Sequence, residues 1–403
     1  MGCAGSKNDS ALGRLSSYQI AAAQAESEGL TQRPLPLIEE EAAVASQGKL
    51  FPFHFHNIFY DGFYAPYIRN PDYLLIVDAR EEEEAYEMSH VVTAQWHGRM
   101  AHFKAMNEAK EDKDKLTRYC HVVLYDADGS GINVEDSSVG RIAKILRELH
   151  VEPLFLDGGL QALTKSCPYL VITPPEGSHI PLVGSRLAMS WFPSIVLDGQ
   201  LFLGRREQAA DPAVLVGLQV THIVCVADSS TAVPAPLSPN LNYLVVPLPP
   251  DVTEDTKSDS SNTIEISNEI SGQKGLKKSD GKLVKTSKHQ NQQQEKRTDF
   301  NIVDLGSQLP TLAAFVQDAL KGSGEDVVHG RVLISGEQGV NRSAALVMAF
   351  LMKDRACTLE DAYYYVRRCR PAVQLSETLL KSLAHLEGNI FGRGVTNIED
   401  LGY

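Results

Sequence analysis

The sequence has no CxxC pair, no excess of basic charge and no apolar run long enough to cross a bilayer. Its six cysteines, Cys3, Cys120, Cys167, Cys225, Cys357 and Cys369, are scattered. That spacing excludes a zinc ribbon and a disulfide scaffold and suits a reducing compartment. No metal or other cofactor is expected. Asp and Glu outnumber Lys and Arg by 51 to 38, a formal net charge of −13. No basic stripe is present to displace phosphate counterions, which excludes nucleic acid as a partner. The longest strongly apolar run, Ala344 to Met352, is about half of what a bilayer span needs. No secretory apolar region opens the chain. Aromatic residues are missing between residues 252 and 298, where Ser, Lys, Gln and Asn dominate. Such a stretch buries too little apolar surface to offset its ordering entropy. It is expected to be a disordered insertion within a domain, because the segments on either side continue one pattern.

What is present starts at the first residues. "MGCAGSK" fits the pattern for N-terminal myristoylation, with Gly2 exposed once Met1 is removed and Ser6 in the required place. Cys3 beside it is a candidate for a second acyl chain, and two chains anchor a protein where one holds it marginally. Residues 1–50 are therefore expected to form a flexible, acylated tail that brings the chain to membranes.

From residue 51 the chain alternates strands and helices, the pattern of an α/β fold. "YLLIVDAR" and "HVVLYDADGSG" are apolar runs suited to buried parallel strands. "VGRIAKILRELHV" has apolar residues at helical spacing, and "PLFLDGG" is a further strand and turn. "TPPEGSHIPL" has the Pro and Gly content of a linker. "SIVLDGQLFLG" is a hairpin around Asp198 and Gly199. A helix, a glycine stop and a buried strand follow over "QAADPAVLVGLQVTHIVCVAD".

"VLISGEQGVNRSAAL" is a short apolar strand, a glycine-bearing loop, and Arg-Ser opening an apolar helix. A loop of this kind grips phosphate. Its amides and the helix N-terminus face the anion, and an arginine forks two oxygens. Glu337, Gln338, Gly339, Val340, Asn341, Arg342 and Ser343 are the candidate phosphate-binding residues.

Residues 51–175 resemble a rhodanese-like domain, on the LLIVDAR strand, "HVVTA", the VVLYD strand with its loop, and the FLDGG turn. Active members carry a persulfide-bearing cysteine where this chain has Asp126, and a carboxylate cannot carry sulfur. The likeness is closest to the inactive version at the front of MAP kinase phosphatases. In those enzymes a basic cluster docks the kinase. The equivalent stretch here has only Arg99, Lys104 and Lys110, dispersed, which argues against kinase docking. Residues 191–393 resemble a dual-specificity phosphatase domain, on the "LFLG" entry, "THIVCVAD", "GVNRSAALVMAFLM" and "AYYYVRRCRP". The linker spans 176–190, the insertion 252–298, and a C-terminal tail 394–403.

The phosphatase resemblance implies a nucleophilic Cys at position 336 and a His at 335. Gly336 and Ser335 stand there. The general-acid Asp is implied near Asp251, at the edge of the insertion. The catalytic positions are thus degenerate, and a pseudophosphatase is implied: a signalling scaffold or phospho-residue binder. Its implied partners are signalling proteins, some phosphorylated. The implied settings are MAP kinase, stress-granule or apoptotic pathways, in the cytoplasm with a mitochondrial link. A purely structural adaptor with an empty loop, and a weak residual phosphatase, are the alternatives.

Overall fold

A computed structural model of the chain describes residues 48–64, 73–100, 116–173, 191–197, 199–227, 241–249, 303–321 and 329–402. By its contacts the chain divides into two units, 1–249 with 302–403, and 250–301. All described residues belong to the first. Gly2, Cys3, Asp251, the linker over 176–190 and the insertion over 252–298 lie outside the described residues.

The first sheet is wholly parallel. It holds β1 (Lys49–Leu50), β2 (Leu74–Asp78), β4 (Gln95–Trp96), β5 (His121–Tyr125) and β6 (Leu154–Leu156), in the order β1-β6-β5-β2-β4. Its central strands, LLIVD and HVVLY, are nearly continuous apolar runs because both faces are covered. α1 (Pro52–Tyr64), α2 (Glu83–Met88), α3 (Ser138–Glu148) and α4 (Gly159–Ser166) accompany it. Ser137 caps α3 by accepting from Gly140 N. "HVVTA" does not join this sheet. β3 (His90–Val91) pairs antiparallel with β7 (Val171–Ile172) as a separate ribbon. The sheet also begins earlier than the boundary expected at residue 51, since Lys49 and Leu50 pair with Phe155 and Leu156.

The second sheet runs β11-β10-β12-β9-β8. Here β8 is Ser194–Leu197, β9 Leu201–Arg205, β10 His222–Ala227, β11 Asn242–Pro247 and β12 Val332–Gly336. The expected hairpin is β8 against β9, the only antiparallel pair of this sheet among the described residues. Gly199 sits in its turn at φ 62°. Between β9 and β10 are two short helices, α5 (Arg206–Ala209) and α6 (Pro212–Gly217). The turn out of α6 uses Gln219 at φ 53°, so the glycine stop expected there is not the residue that makes the turn. α7 (Leu305–Lys321), α8 (Arg342–Arg355), α9 (Leu359–Cys369) and α10 (Glu377–Phe391) complete the unit.

α8 is buried all round from Arg342 to Met352, which makes it the central helix of its layer. Fully burying each of its large apolar side chains contributes about 1.5–3 kcal/mol. Residues 394–402, expected as a tail, are docked. The buried carboxylate of Glu387 accepts from Leu359 N at 2.8 Å, Val395 N at 2.9 Å and Thr396 N at 2.8 Å. Leu401 enters the core at 1% exposure.

The two sheets share a core. One apolar cluster runs from Phe55, Tyr60 and Tyr169 beside the first sheet to Phe192, Ile195 and Leu333 of the second. α1 is the joint. Asn57 Nδ2 donates to Ile195 O at 2.8 Å, and Asn57 Oδ1 accepts from Ile195 N at 2.8 Å. The fully buried His56 donates from Nε2 to Pro193 O at 2.9 Å, while Nδ1 accepts from Tyr169 OH at 2.9 Å. Both ring nitrogens are thus met with the imidazole neutral, the form that burial favours. Burial pushes His56 down from 6.5 to about 4, and does the same to the largely buried His54.

The unfolded chain takes up these protons below pH 6.5, and the folded chain does so only near pH 4. Stability is therefore full above pH 6.5 and falls across that window, by about 3 kcal/mol for His56. Urea unfolding at pH 7.5 and pH 4.5 is expected to show this loss, with a shallower pH dependence in His56→Gln. Equal pH dependence in the two proteins would contradict it.

Candidate functional site

The expected phosphate loop is one structural element. β12 brings the chain to Gly336 at the C-terminal end of a central strand, where open α/β sheets place ligands. Glu337 to Asn341 turn, and Arg342 opens α8. Gly339 has φ 69°, and a Cβ there would lie 2.4 Å from Gly204 O. Only glycine fits, because both the backbone conformation and the space forbid a side chain.

The direction of the loop amides follows from what holds the carbonyls. Arg370, 1% exposed, donates from Nε to Gly339 O at 2.8 Å and from Nη2 to Gln338 O at 3.2 Å. Its Nη1 reaches Ser194 Oγ at 3.3 Å. Gln374 N donates to Val340 O at 3.0 Å. In a trans peptide the N–H points opposite the preceding C=O. Three successive carbonyls drawn to one side therefore turn the amides of Gly339, Val340 and Asn341 to the other.

The N-terminus of α8 has no side-chain cap. Asn341, in the cap position, makes no cap hydrogen bond, and its Oδ1 accepts from Ser376 N at 3.0 Å. By contrast, α9 and α10 are capped by Thr358 and Ser376. An uncapped N-terminus leaves amide donors and a positive dipole end for an anion.

Arg342 lies under the loop with its side chain 9% exposed. Its Nη1 donates to Leu248 O at 3.4 Å, and its Nη2 is 3.7 Å from Glu337 Oε2. Ser343 Oγ is buried without a hydrogen-bond partner. It lies 2.8 Å from where a Cβ on Gly336 would sit, so it faces the place a side chain at 336 would occupy.

Ser335 points elsewhere. Its fully buried hydroxyl donates to Val224 O at 3.2 Å and lies 3.9 Å from Cys225 Sγ, facing β10. Burial pushes the Cys369 thiol up to about 12 and the Cys357 thiol higher still, so neither supplies a thiolate.

The corresponding loop of the first sheet follows β5. Asp126 accepts from Gly129 N at 2.6 Å and Gly131 N at 2.8 Å. The loop amides are taken by the loop's own carboxylate. A cavity of about 400 Å³ opens beside it, lined by Arg80, Glu81, Asp128 and Ser138 among others. Arg80 is committed to Asp78, with Nη2 2.6 Å from Oδ2 and Nε 3.0 Å from Oδ1. The buried Tyr125 hydroxyl donates to the same carboxylate at 2.7 Å. Burial, followed by the neighbouring Asp78 charge, pushes that phenol well above its ordinary range.

The structure therefore gathers Gly336, Glu337, Gln338, Gly339, Val340, Asn341, Arg342 and Ser343 at one sheet end, and leaves Ser335 facing away. Asp126 belongs to the other sheet. Sequence reasoning missed Arg370. Its only signal was an arginine just past a helix and before Pro371, which does not distinguish a solvated charge from a buried one. Among the described residues no group of three or more His, Cys, Asp or Glu side chains is placed to hold a metal. No helix among them is long and apolar enough to cross a membrane.

Comparison with known proteins finds family similarity in the C-terminal part of the chain. The model of the dual specificity phosphatase catalytic domain matches residues 252–389, about a third of the chain. Dual specificity protein phosphatase 18 of Bos taurus is 37% identical over 73 residues, 18% of this chain and 39% of that protein. A putative tyrosine phosphatase, 123R, of Invertebrate iridescent virus 6 is 27% identical over 84 residues, 21% of this chain and 55% of that one. The matched part thus spans about two fifths of the dual specificity phosphatase 18 relative. Among solved structures, the human tyrosine phosphatase-like serine/threonine/tyrosine-interacting protein aligns at 19% identity and TM-score 0.33, over 49% of this chain and 96% of that one. The Yvh1 phosphatase domain from Chaetomium thermophilum aligns at 18% identity and TM-score 0.30, over 47% and 92%. The C-terminal part of the chain carries a dual-specificity phosphatase-like domain in an α/β fold.

Proposed function

We propose that this chain is a catalytically inactive pseudophosphatase that holds a phosphorylated residue in the 336–343 loop and acts as a signalling scaffold. The observation that carries the reading is the way the loop keeps its donors and offers no nucleophile. Its carbonyls are drawn back by Arg370 and Gln374, α8 starts uncapped, and Ser343 Oγ is buried without a partner. Phosphatases of this type form a covalent phosphoenzyme through a thiolate. Gly336 supplies none, and the Ser335 hydroxyl faces away.

The first sheet supports a second loss of chemistry. The resemblance of the sequence to a rhodanese-like domain implies a sulfur-carrying position at Asp126, and that carboxylate accepts from two amides of its own loop. The pairing of such a domain with a phosphatase-like domain that lacks the loop cysteine resembles MK-STYX, the serine/threonine/tyrosine-interacting-like pseudophosphatase. The resemblance suggests a setting in MAP kinase, stress-granule or apoptotic signalling, in the cytoplasm with a mitochondrial link. A second reading, an adaptor whose loop takes no ligand, is favoured by the contact of Glu337 with Arg342.

Purified protein is expected to leave aryl phosphates and phosphopeptides unhydrolysed, yet to bind a phosphotyrosine or phosphoserine peptide measurably by calorimetry. Arg342→Lys keeps the charge and loses the two-pronged geometry, and is expected to weaken binding about tenfold or more. Turnover that disappears with Arg342→Lys would restore an enzyme. Absence of phosphopeptide binding by the unaltered protein would favour the adaptor.

We also propose membrane attachment through acylated Gly2 and Cys3, resting on the N-terminal pattern alone. Gly2→Ala is expected to move the protein from the membrane to the soluble fraction of cells, and Cys3→Ser to weaken retention. Equal partitioning of all three forms would contradict attachment.

A further inference from the structure

The phosphate-type loop contains a carboxylate at a position that opposes its own chemistry. Glu337 directly follows Gly336, and its Oε2 lies 3.7 Å from Arg342 Nη2. The two ends of this pair differ in setting: the Arg342 side chain is 9% exposed and that of Glu337 is 64% exposed. The arginine is fixed at the loop floor, while the glutamate reaches it from the lip. Arg342 keeps a second anchor on Leu248 O at 3.4 Å and does not depend on Glu337 for its place.

A phosphate arriving at Arg342 meets two costs. It must displace the Glu337 carboxylate from the guanidinium, and it must then sit close to that displaced negative charge. Like charges brought close destabilise each other, strongly so at a partly dry site. Turning Glu337 outward is open to it, because most of the side chain already faces solvent. Outside, the carboxylate is hydrated and is open to pair with a cation of the ligand. The chain is acidic overall, at −13, which favours the approach of a basic ligand.

We infer that Glu337 is the specificity-determining residue of the loop, and that the loop selects phosphorylated peptides carrying a Lys or Arg beside the phosphorylated residue. The phosphate takes Arg342 and the Ser343 hydroxyl, which is buried and unpartnered. The ligand's own cation takes the Glu337 carboxylate that the phosphate released. This rests on the phosphate-binding reading of the loop.

Titration by calorimetry of the full chain with two phosphopeptides tests it, one with Arg and one with Ala next to the phosphorylated residue. Inorganic phosphate serves as a third ligand. The unaltered protein is expected to prefer the Arg peptide about fivefold, the scale of a partly exposed ion pair. Glu337→Gln keeps the side chain's shape at an exposed position. It is expected to bind inorganic phosphate severalfold more tightly than the unaltered protein and to lose most of the Arg preference. If both proteins bind phosphopeptide with the same preference, or with none, Glu337 does not set specificity and the phosphate-binding reading stands. If neither binds phosphate or phosphopeptide, that reading fails and this inference with it.

Discussion

The guanidinium of Arg370 is the part on which the candidate site depends. It is 1% exposed, yet it sits in the core under the loop, with a carbonyl on Nε, a carbonyl on Nη2 and a hydroxyl near Nη1. A buried cation is tolerated only when its donors are met, so the residue fixes the groups that meet it. By holding the carbonyls of Gln338 and Gly339 it sets the direction of the next amides. By contacting Ser194 it ties the loop to β8, the strand on which α1 of the first half also rests. The loop's shape is therefore a property of the whole unit rather than of its own few residues.

The two halves repeat one arrangement. Each has a glycine-bearing loop after a central parallel strand, and each of those loops carries an acidic side chain. In the first half, Asp126 is bonded to two backbone amides at 2.6 and 2.8 Å, which closes that loop. In the second half, Glu337 lies 3.7 Å from Arg342 and is mostly exposed. A carboxylate held by two short charge-assisted bonds is costly to displace, whereas a partly exposed ion pair contributes about 0–1 kcal/mol. The first loop is plugged and the second is only guarded. On the proposed reading, that difference favours the 336–343 loop over the Asp126 loop as the one that takes a ligand.

Much of this was legible in the sequence. The continuous apolar runs LLIVD, HVVLY and HIVCVA announce parallel strands covered on both faces, and the pattern of Gly339, Arg342 and Ser343 before an apolar helix announces the loop. What was not legible is long-range. Nothing local says that Asn57 would grip Ile195, 138 residues away, and so fuse two apparent domains through one helix. Nothing local separates Arg370 from its neighbours Arg367 and Arg368. The docking of residues 394–402 uses the buried carboxylate of Glu387, in the helix before them, together with Leu401 in the core. The turn at Gln219 uses a conformation that glycine usually supplies. In the first three a tertiary contact decided what local pattern left open, whereas the turn at Gln219 closes with local bonds to Val216 and Leu215.

The central claim is that the amides of Gly339, Val340 and Asn341 and the start of α8 still form an anion cradle. The most direct measurement is a titration of isotope-labelled protein with inorganic phosphate, followed by NMR of the backbone amides. The account predicts saturable shifts centred on Gly339, Val340, Asn341 and Ser343, and none at Gly129 or Gly131, whose donors Asp126 already holds. Only a linear drift at the 339–343 amides, or equal shifts at both loops, would contradict it.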